Sequence, residues 1–320
     1  MLLSLRVAIL ALVPALLSAW GPIGHMTVGY LAYSQLAPPI KARVSALLKL
    51  NPDYPTWDKQ IPTGTSQEEH DHIIFAIATT WPDDIKGEPQ YSDDGSNGGN
   101  TPGGPDSGRN IGYTDLLRHQ YWHFVDTPFS QDGTALPSIP APNAQTQIEA
   151  FRAVLKSDQP DALKSYDLTW LLHLIGDVHQ PLHSSTRVSS FDPTGDAGGN
   201  FVKLFGDASS VLHAYWDNLP GIDCSYCSAK PNCVERARLY SLRLRPPNRK
   251  AATDIITADW VKESFDEAQK VVYLSPIGAN DGPVTIIPES PYEVRAARLA
   301  KMRIALAAAR LASVLNQELK

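Results

Sequence analysis

Apolar residues recur three and four positions apart in six stretches of the chain, the spacing of one face of an α-helix. They are HMTVGYLAYSQL from His25, KARVSALLKL from Lys41, SQEEHDHIIFAIATTW from Ser66, NAQTQIEAFRAVLKS from Asn143, DLTWLLHLIGDVHQ from Asp167, and an Ala/Leu/Arg-rich run from Tyr292 to the end. Alternation of apolar and polar residues, the mark of a half-buried strand, is scarce. FVKLFG at Phe201 is the best instance and predicts a short β-hairpin. From Gly87 to Gly112 the pattern gives way to Gly, Asp, Asn, Ser and Pro, which predicts a long surface loop. A second irregular stretch runs from Pro220 towards Lys250, and no segment repeats at a fixed period. The prediction is an all-α, mainly helical domain over residues 20–320. It is undivided because the chemically suggestive residues fall on both sides of the first loop.

The first nineteen residues follow a different rule. They hold one Arg, a short apolar run broken by Pro14, and a small residue, Ala19, where a signal would be cut. A secretory signal over 1–19 is expected, so the mature chain would start at Trp20 and be secreted or periplasmic. The run is short for a bilayer span, and no other segment is long and apolar enough for one. Cys224, Cys227 and Cys233 lie within ten residues of one another. In an exported chain they suggest one small disulfide loop with a thiol left over; a zinc knuckle is the alternative, although no fourth ligand is near.

Composition adds a puzzle. With 43% hydrophobic and 19% charged residues a sizeable core is available, but the formal net charge is −6, the wrong sign for a basic nucleic-acid binder. Losing Arg6 with the signal would take −6 to −7. If this chain handles phosphates, the positive charge must come from bound metal.

The histidines show where metal could sit. In 173-HLIGDVHQPLH-183, His173 and Asp177 stand at i and i+4 and share a helix face, and Pro181 should end that helix before His183. The same spacing returns at His213 and Asp217 in HAYWD. WHFVD places His123 three residues before Asp126, and WPDD places Asp83 and Asp84 at a Pro-marked helix start. One His-x-x-x-Asp is as well explained by a buried hydrogen-bonded pair. Two of them plus a third histidine favour zinc, whose ligands are imidazole nitrogen and carboxylate oxygen held on rigid elements.

WGPIGH at Trp20, WPDD at Trp81, WHFVD at Trp122, HLIGDVHQPLH, AGGN at Ala197 and HAYWD occur in the order of the motif string of the S1/P1 nucleases, which this sequence resembles from Trp20 to Asp217. The resemblance implies a helical domain of the phospholipase C/P1 nuclease type with three zinc ions at the base of a cleft. One ion would be held by Asp83, His123, His173 and Asp177. A second would take the α-amino and carbonyl groups of Trp20, with His25 and a bridging Asp177. The third would take His183, His213 and Asp217. Three zincs bring +6, which offsets the −7 of the mature chain.

The implied activity is endonucleolytic hydrolysis of single-stranded DNA or RNA to 5′-phosphorylated products, with 3′-nucleotidase activity alongside, by a monomer that needs no membrane after signal cleavage. Multi-zinc sites serve such chemistry by binding the scissile phosphate and lowering the pKa of water. Asp83 would orient that water, and Lys86 would contact phosphate unless it is a solvated surface lysine. Phe124 would stack on a base unless it is core, and Asn200 would meet a base edge unless AGGN is simply a turn. Asp126 would orient a ligand. His179 is not a ligand in the family, and His70, His72 and His119 are expected at the surface or in packing roles. Two other readings compete: a zinc-dependent phospholipase C, whose ligand string usually ends in Glu where this chain has Asp217, and a secreted zinc-binding protein without catalysis.

Overall fold

The computed structural model describes residues 20–95, 108–206, 209–221, 230–279 and 282–319. The expected signal at 1–19, the middle of the Gly-rich loop, and Cys224 and Cys227 lie outside the described residues.

The structure is helical, as the periodicity predicts. Its helices are α1 (Pro22–Ser34), α2 (Pro38–Leu48), α3 (Tyr54–Asp58), α4 (Gln67–Ala78), α5 (Trp81–Asp84), α6 (Ala144–Lys156), α7 (Asp161–Asp177), α8 (Leu212–Asp217), α9 (Lys230–Ser241), α10 (Arg249–Ala252), α11 (Thr257–Glu267) and α12 (Pro291–Glu318). Local chemistry fixes many of their starts. Ser66 accepts from the Glu69 amide at the head of α4, and Asn143 and Thr146 cap α6 reciprocally. Ser290 accepts from the Glu293 amide before Pro291 opens α12. Such caps are worth about 1 kcal/mol each.

α7 is the centre of the molecule. Every residue from Ser165 to Asp177 is buried, so a helix that is apolar nearly all round has neighbours on all sides, among them α1, α2, α5, α6 and α12. α6 is the opposite case, burying Ile148, Phe151 and Leu155 along one stripe. Around the upper half of α7, Trp81, Trp122 and Trp170 pack edge to face, with ring centroids 6.1 Å apart for Trp81–Trp170 and 5.0 Å for Trp122–Trp170. This aromatic wall gives the polar residues of α7 a rigid backing.

Two expectations are modified, and one sheet was not foreseen. Among the described residues FVKLFG forms no named strand; the expected hairpin is reduced to an isolated antiparallel bridge between Lys203 and Val211, and Leu204 bridges to Val284. The described two-stranded sheet is parallel and pairs β1 (Pro128–Ser130) with β2 (Thr186–Val188), segments too short and too far apart in sequence to announce themselves by alternation. The stretch after Pro220 is not irregular throughout, because α9 and α10 lie inside it. Their surfaces are too polar to carry an apolar stripe. Cys233 is buried on α9. No helix among the described residues is long and apolar enough to cross a membrane.

Candidate metal centre

α7 ends at Asp177, and the turn Pro181–Ser184 follows, so HLIGDVHQPLH folds as a helix end and a tight return. His173 and Asp177 project from one face, as their spacing predicts. α5 brings Asp83 opposite them, the turn Gln120–His123 brings His123, and α1 brings His25. His123 Nδ1 lies 3.0 Å from Asp177 Oδ2 and 3.8 Å from Asp83 Oδ1. His173 Nε2 lies 3.0 Å from His123 Nδ1, 3.3 Å from Asp177 Oδ2 and 3.6 Å from Asp83 Oδ1. Donors bound at about 2.0–2.2 Å round a tetrahedral ion stand roughly 3.3–3.6 Å from one another. The four donors therefore already have the spacing of a zinc shell.

Asp177 divides its oxygens. Oδ2 faces His123 and His173, while Oδ1 faces His25 Nε2 at 3.2 Å. Oδ1 and both His25 nitrogens have no hydrogen-bond partner although all are buried. Orphaned buried polar atoms are rare, and a carboxylate with each oxygen turned to a different imidazole group suits a bridge between two cations. Trp20 is fully buried beside His25, and the Gly21 amide donates to the Asp217 carbonyl at 2.8 Å, tying the start of the domain to α8. Two glycines make these approaches possible. A Cβ on Gly24 would lie 2.5 Å from that of Trp20, and one on Gly176 would lie 3.0 Å from His25 Nδ1.

A further group forms across the cleft floor. His213 Nε2 lies 2.9 Å from His183 Nε2 and 3.6 Å from Asp217 Oδ2. In all, the donor groups His25/Asp83/His173, His123/His173/Asp177 and His183/His213/Asp217 each have atoms within 4.8 Å of one another. The far nitrogens of the rings are held by main chain: His173 Nδ1 donates to the Thr79 carbonyl, His183 Nδ1 to that of His123, and His213 Nδ1 to that of Gly198, at 2.7–2.8 Å. This fixes the tautomer and leaves each Nε2 lone pair aimed at the centre. Gly198, at φ +59°, reaches the ring because a Cβ there would lie 2.4 Å from the Leu182 carbonyl oxygen. AGGN is thus a turn, and the turn positions His213.

Gln180 has a role that its motif alone does not reveal. Its Nε2 donates to Asp217 Oδ1 at 2.8 Å, and its Oε1 accepts from the Leu182 amide, so one side chain aims a carboxylate and shapes the return. His179 turns away from the centre. Its Nδ1 donates to the Ile175 carbonyl, and its Nε2 accepts from Arg310 at 3.0 Å. Arg310, fully buried on α12, also grips both oxygens of Glu263 at 2.7 and 2.8 Å, and Arg303 joins Glu263 to the His179 carbonyl. An ionic clamp therefore anchors the loop between Asp177 and His183 from below. No sequence signal pairs His179 with a helix over a hundred residues away.

Electrostatics separates the cluster's members. Burial lowers the pKa of His25, His123, His173, His183 and His213, the last to about 4, keeping the rings neutral and able to ligate. Burial raises Asp217 well above the usual carboxylate range and Asp177 to about 7. Burial acts the same way on Asp83, but Lys86 and the neighbouring imidazoles overcome it and hold Asp83 at about 2. Carboxylates and neutral imidazoles gathered in a buried site want a cation, and the donor set fits zinc.

Above the centre opens a cleft of about 440 Å³ whose walls include Lys86, Gln120, Phe124, Asp126 and Asn200. Lys86 is buried, with Nζ 2.7 Å from Asp83 Oδ1. Phe124 is half-buried against the core with part of its ring in the cleft, and Asn200 donates from Nδ2 to the Ala197 carbonyl. Asp126 also faces the cleft. Burial, with Asp196 nearby, pushes its carboxyl up to about 7. His119 is not at the surface: it is buried between Asp94 (2.6 Å) and Asp115 (3.0 Å) and stacks on Trp122 at 3.5 Å.

The chain is similar to known proteins. The family described as S1/P1 Nuclease matches residues 20–320. A curated relative, Endonuclease 3 of Arabidopsis thaliana, is 24% identical over 230 residues, which cover 67% of this chain and 60% of that protein. The match to the relative is partial; that to the family takes in every donor named above. This chain belongs to the S1/P1 nuclease family.

Proposed function

We propose that the protein is an exported, zinc-dependent endonuclease that hydrolyses single-stranded DNA and RNA to 5′-phosphorylated products and also acts as a 3′-nucleotidase. The observation that carries this reading is the shell of Asp83, His123, His173 and Asp177, whose donors stand 3.0–3.8 Å apart under an open cleft. Three zinc ions would be held, one by that shell, one by His25, Asp177 and the backbone of Trp20, and one by His183, His213 and Asp217. Bound there, zinc supplies Lewis-acid polarisation of a phosphate and lowers the pKa of water.

The protein's own groups do the rest. Lys86, fixed by Asp83 at the cleft wall, can donate to a non-bridging phosphate oxygen, and ionised Asp83 accepts hydrogen bonds beside it. The Phe124 ring offers a base a stacking face, worth about 1–3 kcal/mol. Asn200 has its Nδ2 committed to Ala197, which leaves Oδ1 to accept from a base edge, and Asp126 is a further polar group of the same wall.

The test uses protein starting at Trp20 and purified with zinc. Single-stranded DNA, RNA and phosphatidylcholine are assayed side by side, with and without EDTA. The expected result is EDTA-sensitive release of 5′-nucleotides with no choline phosphate. Lipid cleavage alone would transfer the site to a phospholipase C. Three bound zincs without turnover of any substrate would leave a metal-binding protein.

A further inference from the structure

Away from the cleft, an open groove runs between the outer face of α12 and the segment that follows α9. Arg298 and Lys301 reach it from α12, where Val294, Ala297, Arg298 and Lys301 share one face at three- and four-residue spacing. Arg243 and Arg245 line the opposite side. Two segments about fifty residues apart thus converge four cations on one groove, in a chain whose net charge is −6.

Several other arginines are paired: Arg43 with Asp161, Arg152 with Glu318, and Arg303 and Arg310 with Glu263. None of the four groove cations forms an ion pair among the described residues, and no carboxylate lines the groove. Glu293, on the same helix, is turned back to its N-terminus, where it accepts from the Glu289 amide. Converging like charges raises the energy of the empty groove, and an anion relieves it. Val294 and Met302, exposed by 60% and 57%, give the same groove an apolar edge.

We propose that this groove is a second binding site for single-stranded nucleic acid, which holds the backbone of a long substrate outside the catalytic cleft. The proposal rests on the nuclease reading for its choice of polyanion. A cationic groove that tracks a backbone, with apolar contacts for what lies between phosphates, is the usual way such strands are bound. The cleft alone supplies little of this: its only lining Lys or Arg among the described residues is Lys86, already paired with Asp83. Affinity for a long strand therefore needs cations elsewhere, and the groove concentrates them.

The experiment compares the zinc-loaded mature protein with R298E/K301E and R243E/R245E, on a long oligothymidylate and on a thymidine dinucleotide, across a salt series. In the variants kcat/KM for the long strand should fall about tenfold at low salt, and the log–log salt slope should become shallower by about 0.7 for each phosphate the groove no longer neutralises. The dinucleotide, too short to reach the groove, should be turned over as before. Unchanged long-strand kinetics with an unchanged salt slope would overturn the proposal. Anisotropy of a labelled oligothymidylate and binding to phosphatidylglycerol vesicles complete the set. If the wild type turns over neither substrate, the nuclease reading fails while the groove is still judged: salt-sensitive strand binding that disappears in the variants keeps it, and unaltered binding removes it. Loss of vesicle binding with strand binding intact would reassign the groove to a lipid surface. The cations are at the surface, so melting curves of the variants should match the wild type; if R298E/K301E melts early, R298Q/K301Q should show the same long-strand defect, smaller in size.

Discussion

Two buried polar clusters lie against the last turn of α7, and they settle their charge in opposite ways. On the α12 side, Arg303 and Arg310 meet Glu263, and His179 fills the remaining donor direction of Arg310. Cation and anion are both supplied by the chain. On the cleft side, the imidazoles are neutral, burial pushes Asp177 and Asp217 up, and Asp177 Oδ1 and the His25 nitrogens have no hydrogen-bond partner. Among the described residues the positive charge comes from Lys86, which pairs with Asp83. One cluster is self-sufficient; the other is built to a shape that an ion completes. The contrast separates a structural ionic network from a metal site more sharply than composition does, since both contain a histidine of the same eleven-residue motif.

Substitutions can break this comparison, starting where the effect should be largest. Asp177→Asn removes the shared carboxylate and should lower turnover at least about a thousandfold, ~4 kcal/mol in barrier. Bound zinc, measured by elemental analysis, should fall with it. Full zinc content and activity in this variant would mean that Asp177 is not shared.

Arg310→Met strikes the other cluster. It removes one of the two arginines that hold Glu263 and should destabilise the fold by about 2 kcal/mol, below the usual range for a broken buried pair because Arg303 still pairs with Glu263, which is more than a third exposed. Urea denaturation measures this. Adding Glu263→Gln should deepen the loss, because buried Arg303 then loses its carboxylate as well, and zinc per folded molecule should stay as it was. A single variant as stable as the wild type would show that the clamp contributes shape without energy.

The smallest effect concerns His119. Burial lowers its pKa, but hydrogen bonds and charge from Asp115 and Asp94 outweigh that and raise it above the usual 6.5. A raised folded-state pKa gives stability that is fully present below pH 6.5 and is lost as pH rises through the folded value. His119→Gln should flatten that part of the Tm-against-pH curve, leaving the variant lower on the acid side and level with the wild type in alkali. A variant curve parallel to the wild type's would refute an imidazolium at this position.

The sequence made the donor set readable for a physical reason: zinc ligands must come from rigid elements, and His173/Asp177 and His213/Asp217 carry the helix period in their own spacing. The helix starts at Ser66 and Asn143 and the Pro-marked entry of α5 were legible for the same local reason. What stayed hidden was long-range. α7 starts six residues before the stretch read from Asp167, because its first turn, Asp161–Lys164, is exposed or half-exposed and carries too few apolar residues to extend the periodic pattern. β1 pairs with β2 across 58 residues in a register no local pattern encodes. Gln180 and His179 lie within the motif, yet their partners, Asp217 and Arg310, are set by the fold alone. The resemblance to S1/P1 nucleases, by contrast, was carried by motifs ending at Asp217, while the family match extends through α12 to residue 320.

The donors are strung from residue 20 to residue 217 on α1, α5, the Gln120–His123 turn, α7 and α8, and no two of those elements are held together except by the folded frame. An unfolded chain has no such site, so ion affinity and conformational stability become a single linked equilibrium. Every loosening of the helical frame is then read out as weaker apparent affinity, even from as far away as Arg310. Reciprocally, on the zinc reading proposed above, free zinc concentration should set the melting temperature, and a chelator should act on this molecule as a denaturant does.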